Sequence, residues 1–290
     1  MNRRHFLRTA GGLTLGSLAT IALGCRPSDE TSQAASGAPA GTRRLERIGL
    51  QLYTVRTLMA QNVPRTLERV AEIGYQEVEF AGYFNYTPQE LRQMLDHLGL
   101  SAPATHVPYQ ALEANLEATL ETAQVLGHRY VVVPWLPPEQ RQTLDDYRRW
   151  AERFNRWGEA CKAAGVQFAY HNHDFEFAPV EEQIPYDVLL AETDADLVKM
   201  ELDLYWITYA GHDPIPYLQQ YPGRFLLCHV KDMTADRQMV DVGQGTIDFA
   251  RIFAQAVGTQ LQHYFVEHDQ PEDPLASIRR SYEYLAQLRF

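Results

Sequence analysis

The chain has 290 residues, with 37 acidic against 26 basic side chains and a formal net charge of −11. So acidic a protein repels phosphate backbones, which argues against nucleic acid as a partner. Its three cysteines, Cys25, Cys161 and Cys228, are too few and too scattered for a disulfide framework, and the latter two read as buried free thiols.

Arg3-Arg4 precede a weakly apolar stretch from about Gly11 to Gly24, the pattern of a twin-arginine export signal. The stretch is too short and too rich in Gly, Ser and Thr for a stable membrane span. Ala22-Leu23-Gly24-Cys25 resembles a lipoprotein-processing box, so residues 1–25 read as the signal and Cys25 as a candidate lipid anchor, with ordinary signal cleavage as the alternative. Losing Arg3, Arg4 and Arg8 would take the charge from −11 to −14. The expected address is periplasmic or extracytoplasmic. Residues 26–44, small, polar and Pro-containing, read as a flexible tether.

Residues 45–290 match the roughly 250 residues of a single (β/α)8 barrel. Strand-like runs are expected near 48–53, 76–80, 102–107, 130–135, 167–173, 198–204, 225–230 and 263–267. Helical patterns fall between them, as at Pro64–Ile73, Pro88–Leu98, Leu112–Leu126 and Leu144–Ala164. Pro64 and Pro88 stand where first helical turns tolerate proline, and Gly74, Gly99, Gly127 and Gly165 follow helices as caps do. Such alternation predicts a parallel sheet, and eight units predict its closure into a TIM barrel.

His171, Asp203, His229 and Glu267 each end a strand-like run. Ends of parallel barrel strands converge on one mouth, where the active sites of these barrels lie. Two imidazoles and two carboxylates gathered there suit one Mn, Zn, Co or Fe ion, whereas an all-oxygen shell would suit Mg or Ca. Glu201 and Asp203 alternate with apolar residues and so face the same interior side, where a charge needs a partner or a metal.

The chain resembles the sugar phosphate isomerase/epimerase family of xylose isomerase-like barrels, which also includes the endonuclease IV fold. The matching pieces are Gly49-Leu50-Gln51-Leu52-Tyr53, Glu77-Val78-Glu79, Thr105-His106-Val107-Pro108, Tyr170-His171-Asn172-His173, Glu201-Leu202-Asp203, His229-Val230-Lys231-Asp232 and Val266-Glu267. The resemblance implies a divalent metal at the mouth, with Asp203, His229 and Glu267 among its ligands. His171 stands where many members have Glu, and Glu176 and His173 are the neighbours that could replace it.

A bound ion with open positions would polarise a substrate carbonyl, and a base must then reach the adjacent carbon. His173 is the expected base, with a role in orienting a ligand as its alternative; Glu267 could combine metal binding with proton transfer. Lys231 is expected either to hold a substrate oxyanion or to neutralise nearby carboxylates. Gln51, Tyr53, Glu79, His106 and Asp232 are expected to meet sugar hydroxyls. Trp135 and Trp206, with Tyr83, Phe84 and Tyr205, offer apolar faces to a sugar ring. His212, Asp213, His268 and Asp269 read as loop residues. Gly243 and Gly245 precede a helix and could cradle a phosphate or simply cap it. The expected activity is metal-dependent isomerisation or epimerisation of a sugar, keto-sugar or polyol. A 3-keto-glycoside lyase or hydratase, or a carbohydrate-binding lipoprotein without activity, are the alternatives.

Overall fold

The computed structural model describes residues 41–290. The expected signal, Cys25 and most of the 26–44 tether lie outside the described residues. Ordered pairing begins ahead of residue 45: Arg43 and Phe290 exchange backbone hydrogen bonds of 3.0 and 3.1 Å, joining the chain's entry to its last residue.

In chain order the elements are β1 (Gly49–Gln51), α1 (Arg56–Gln61), α2 (Val63–Ile73), β2 (Glu77–Phe80), α3 (Pro88–Leu98), β3 (Ser101–His106), α4 (Tyr109–Leu126) and β4 (Tyr130–Val133). Then follow α5 (Leu144–Ala163), β5 (Gln167–His171), α6 (Pro185–Glu192), β6 (Val198–Asp203), α7 (Leu204–Tyr209), α8 (Pro214–Gln220) and β7 (Phe225–Val230). The chain closes with β8 (Asp232–Met233), β9 (Met239–Val240), α9 (Phe249–Gln255), β10 (His263–Val266) and α10 (Pro274–Gln287). Eight of the strands form a closed barrel in the order β1-β10-β7-β6-β5-β4-β3-β2, every neighbouring pair parallel. The expected eight-stranded barrel is therefore the fold. The β8–β9 hairpin is an addition that alternating periodicity could not reveal, because each strand has two residues.

Local chemistry explains the helix boundaries. Thr87 and Glu90 form a capping box ahead of Pro88, and Thr143 and Asp146 form another at the start of α5. Gly99 and Gly127 end α3 and α4 in the left-handed conformation. Helix α4 is interrupted at Asn115, whose Oδ1 accepts from Ala118 N–H at 3.0 Å and restarts the helix.

Most apolar side chains pack between barrel and helices. A smaller apolar layer, Ala104, Tyr130, Val132, Ala169, Leu227 and Phe265, fills the barrel itself. Gly49 makes room for it: a Cβ there would lie 2.4 Å from the Phe265 ring. At the N-terminal ends of the strands Glu77 meets His263 at 2.7 Å, and Arg129 donates to His263 Nε2. Cys161 and Cys228 are buried and unpaired, as expected.

Candidate functional site

The pleat of the parallel strands turns every second side chain inward, so β5, β6, β7 and β10 deliver His171, Asp203, His229 and, one residue past β10, Glu267 to the mouth. One ligand-type atom from each lies within 4.8 Å of all the others, and all four residues are buried. His171 Nε2 is 3.2 Å from Asp203 Oδ2, and His229 Nδ1 is 2.9 Å from Glu267 Oε2 and 3.6 Å from Asp203 Oδ2.

The outward nitrogens of both imidazoles are tied. His171 Nδ1 lies 3.2 Å from the Pro134 carbonyl, and His229 Nε2 lies 2.7 Å from Glu79 Oε2. With an ion bound, His171 Nδ1 and His229 Nε2 would keep their protons against these acceptors, leaving His171 Nε2 and His229 Nδ1 to hold it. Nδ1 of His229 is enclosed with no well-directed hydrogen bond of its own. Metal-binding histidines are held in this way, and the donor set fits Mn, Zn, Co or Fe.

Lys231 Nζ stands 3.0 Å from Asp203 Oδ2, 2.7 Å from Glu267 Oε2 and 2.9 Å from Asp269 Oδ1. Burial opposes its charge, but these three carboxylates outweigh it and hold the ammonium well above its ordinary pKa. Burial also opposes ionisation of Asp203 and Glu267, yet Lys231 and the neighbouring imidazoles keep both well below the usual carboxylate range. An ammonium has three N–H groups, and all three face carboxylates. Lys231 thus neutralises its surroundings and has no free donor for the substrate oxyanion it was also expected to hold. With His229 neutral, as a bound ion would require, three carboxylates against one ammonium leave a charge near −2, which a divalent ion would cancel.

Beneath this cluster lies a ring of Glu79, His229, Glu201 and His106. His106 Nε2 is 2.7 Å from Glu201 Oε2, and His229 Nε2 is 3.3 Å from the same atom. Burial and the Glu201 carboxylate push Glu79 up, to about 8; burial opposes the charge on Glu201 too, but His229 and His106 hold its pKa low.

His173 lies beside His171 and stacks on Phe175 at a centroid distance of 5.5 Å, with the Trp206 ring tilted against it at 5.4 Å. Burial, then the nearby His171 and Lys231, push its pKa well below the ordinary value, so the imidazole is neutral. Its Nδ1 is enclosed without a partner, so the ring meets the cavity through Nε2. Glu176 accepts the His173 backbone N–H at 2.9 Å and the Tyr170 hydroxyl proton. Both oxygens are thereby engaged, which removes Glu176 as a substitute metal ligand.

A cavity of about 870 Å³ opens over the cluster. Tyr53, Tyr83, His106, Trp135, His171, His173, Lys231 and Glu267 line it, as does Asp269, which the sequence had placed among loop residues. Four expected substrate contacts lie elsewhere. Gln51 and Glu79 are fully buried in the ring below, joined by a 2.8 Å hydrogen bond. Trp206 stands behind the cavity wall, its ring 5.7 Å from Lys231 Nζ. Asp232 is turned away: its carboxylate accepts the N–H groups of Met233, Gly243, Gly245 and Ile247 at 2.8–3.2 Å. The same bonds remove the phosphate-cradle reading of the glycine turn, since its N–H groups already face a carboxylate. Gly245 is required there, because a Cβ would sit 2.3 Å from Asp232 Oδ1. His268 bonds Asp241 and Ser277, and Asp213 caps α8, as loop residues do.

Comparison with known proteins agrees with this architecture. An inosose dehydratase of Geobacillus kaustophilus is 26% identical over 262 residues, covering 77% of this chain and 84% of the relative. A crystal structure described as a sugar phosphate isomerase/epimerase from Parabacteroides distasonis superposes with a TM-score of 0.74 and 27% identity, over 83% of this chain and 98% of that one. The IolI protein, solved with a bound zinc atom, shares the fold at 16% identity and a TM-score of 0.67, over 84% of this chain and 98% of its own. Residues 67–288 match the family model itself, and the chain belongs to the xylose isomerase-like TIM barrel family.

Proposed function

We propose that this chain is a divalent-metal-dependent enzyme that removes a proton beside the carbonyl of a cyclic keto-polyol or keto-sugar and completes the reaction by loss of water. One observation carries the reading: a two-imidazole, two-carboxylate cluster lies at the barrel mouth, and its His171 and Glu267 line one cavity with a neutral imidazole, His173. His171, Asp203, His229 and Glu267 would hold the ion, which when bound supplies a Lewis acid to a substrate oxygen. His173, unprotonated and facing the cavity through Nε2, takes the proton from carbon. Lys231 keeps Asp203 and Glu267 ionised. Tyr53 and Trp135 flank the substrate ring, while His106 and Asp269 add polar contacts at the same end.

The inosose dehydratases support elimination as the outcome, because loss of water from a keto-polyol begins with this proton transfer. Isomerisation or epimerisation is the second reading, supported by the Parabacteroides structure; it returns the proton to carbon rather than expelling a hydroxyl. The zinc in the IolI protein supports the choice of a divalent ion.

Incubation of the metal-loaded protein with a keto-inositol in D2O tests the common step and its outcome together. An ultraviolet-absorbing unsaturated product lighter by one water, with the proton beside the carbonyl lost to solvent, is the expected result. Exchange with an unchanged formula would make the protein an isomerase or epimerase. Neither exchange nor loss of water on any keto-sugar, with any of the four ions, would overturn the reading and favour a carbohydrate-binding protein without activity.

A further inference from the structure

The charged groups occupy only one end of the cavity. Its other arm runs along α4, lined by Ala111, Ala114, Ala118 and Thr122, with Val107 and Pro108 beside them. Ala111 and Ala114 stand before the break at Asn115, and Ala118 and Thr122, four residues apart, share a face of the helix after it. The acidic residues Glu113, Glu117 and Glu121 occupy different helical positions and are exposed, and Glu113 pairs with Arg153 of α5 at 3.2 Å. Helix α4 therefore turns its charges toward solvent and α5, and an uncharged face of alanine and threonine, with Asn115, toward the cavity.

Small residues alone would mean little. Here the arm is continuous with the space that the half-buried His173 faces, and Tyr53 and Trp135 line the same cavity with 41% of their surfaces exposed. The volume of about 870 Å³ lies near the upper end of the roughly 300–1,000 Å³ of small-molecule pockets, which suits a ligand larger than one sugar ring. Among the described residues lining it, the only lysine or arginine is Lys231, already facing three carboxylates. A phosphate group would find no free cationic partner there.

Resting on the proposed keto-sugar chemistry, we infer that the substrate has two parts: a hydroxylated ring at the cluster and an uncharged apolar substituent, the size of an aromatic ring, along α4. The class is a sugar or polyol ring bearing an aryl or comparable apolar group, rather than a sugar phosphate.

Binding of phenyl and methyl β-D-glucopyranoside to the metal-loaded full chain, measured by calorimetry, tests this without requiring turnover. The phenyl compound is expected to bind at least 10-fold more tightly, about 1.4 kcal/mol. Ala118→Phe, and separately Ala114→Leu, should bring the ratio close to one while metal content stays stoichiometric. Equal affinities, no binding of either compound, or a preference that survives both substitutions would overturn the inference. An intact aryl preference with neither exchange nor dehydration of keto-sugars would instead sink the proposed chemistry and leave the bipartite pocket standing.

Discussion

Glu79 reaches across the barrel from β2 and accepts the Nε2–H of His229, on β7, at 2.7 Å. This contact fixes the imidazole so that Nδ1 faces Asp203 and Glu267. Without an ion, burial disfavours a charge on His229, but Glu201, Glu267 and Asp203 outweigh it and hold its pKa well above the ordinary value. Taking up an ion therefore displaces a proton from this imidazole. Glu79→Leu should weaken metal affinity by roughly 10–100-fold, the usual effect of losing such a support. Competition with a chelating dye measures it, and unchanged affinity would show that His229 needs no help from β2.

Lys231 Nζ stands among three carboxylates at the mouth, the buried Asp203 and Glu267 and the half-buried Asp269. Lys231→Met should cost the metal-free protein roughly 3–5 kcal/mol, as for a buried ion pair that loses one partner. Saturating Mn or Zn should restore most of that, since an ion at about 1,000 times its Kd contributes about 4 kcal/mol. Thermal unfolding with chelator and with metal measures both terms. A variant equally stable in chelator would contradict the neutralising role.

Glu176 positions His173 rather than touching substrate. Burial pushes its carboxyl up to about 7, and its two oxygens hold the Tyr170 hydroxyl and the His173 backbone. Glu176→Ala should lower kcat by about 10-fold, about 1.4 kcal/mol, with KM and metal content nearly unchanged, while Glu176→Gln should recover most of the loss. If the two variants behave alike, the contact does not set the position of His173.

His128 sets an acid limit on stability. Burial lowers its pKa to about 4, and its Nδ1 donates to the Ala102 carbonyl at 2.6 Å. The unfolded chain, with an ordinary value near 6.5, binds the proton first as pH falls. The contribution is therefore complete above about pH 6.5 and is lost progressively toward pH 4, by roughly 3 kcal/mol. Urea unfolding across that range should show a shallower slope for His128→Asn than for the parent chain. Parallel slopes would assign the acid sensitivity to other groups.

The barrel and the four residues at its mouth were legible because both depend on simple periodicities. Strands ending in His171, Asp203, His229 and Glu267 are parallel, so their ends must meet, and the pleat decides which side chains turn inward. Depth was not legible. Gln51 and Glu79 face inward as expected, yet they lie in the layer of Glu201 rather than that of Asp203, because a closed barrel staggers its strands. Asp232 was misread for a different reason: its partners lie 11 to 15 residues ahead, in a turn whose shape depends on Gly245 having no side chain. Asp269 joined the cavity only through Lys231, a contact that no local pattern encodes.

The three carboxylates around Lys231 also bear on the order in which the protein is assembled. A built-in counter-ion lets the strands that carry Asp203 and Glu267 close before any metal arrives. Folding then need not wait for metal loading, because the ammonium already offsets part of the charge that the ion would meet.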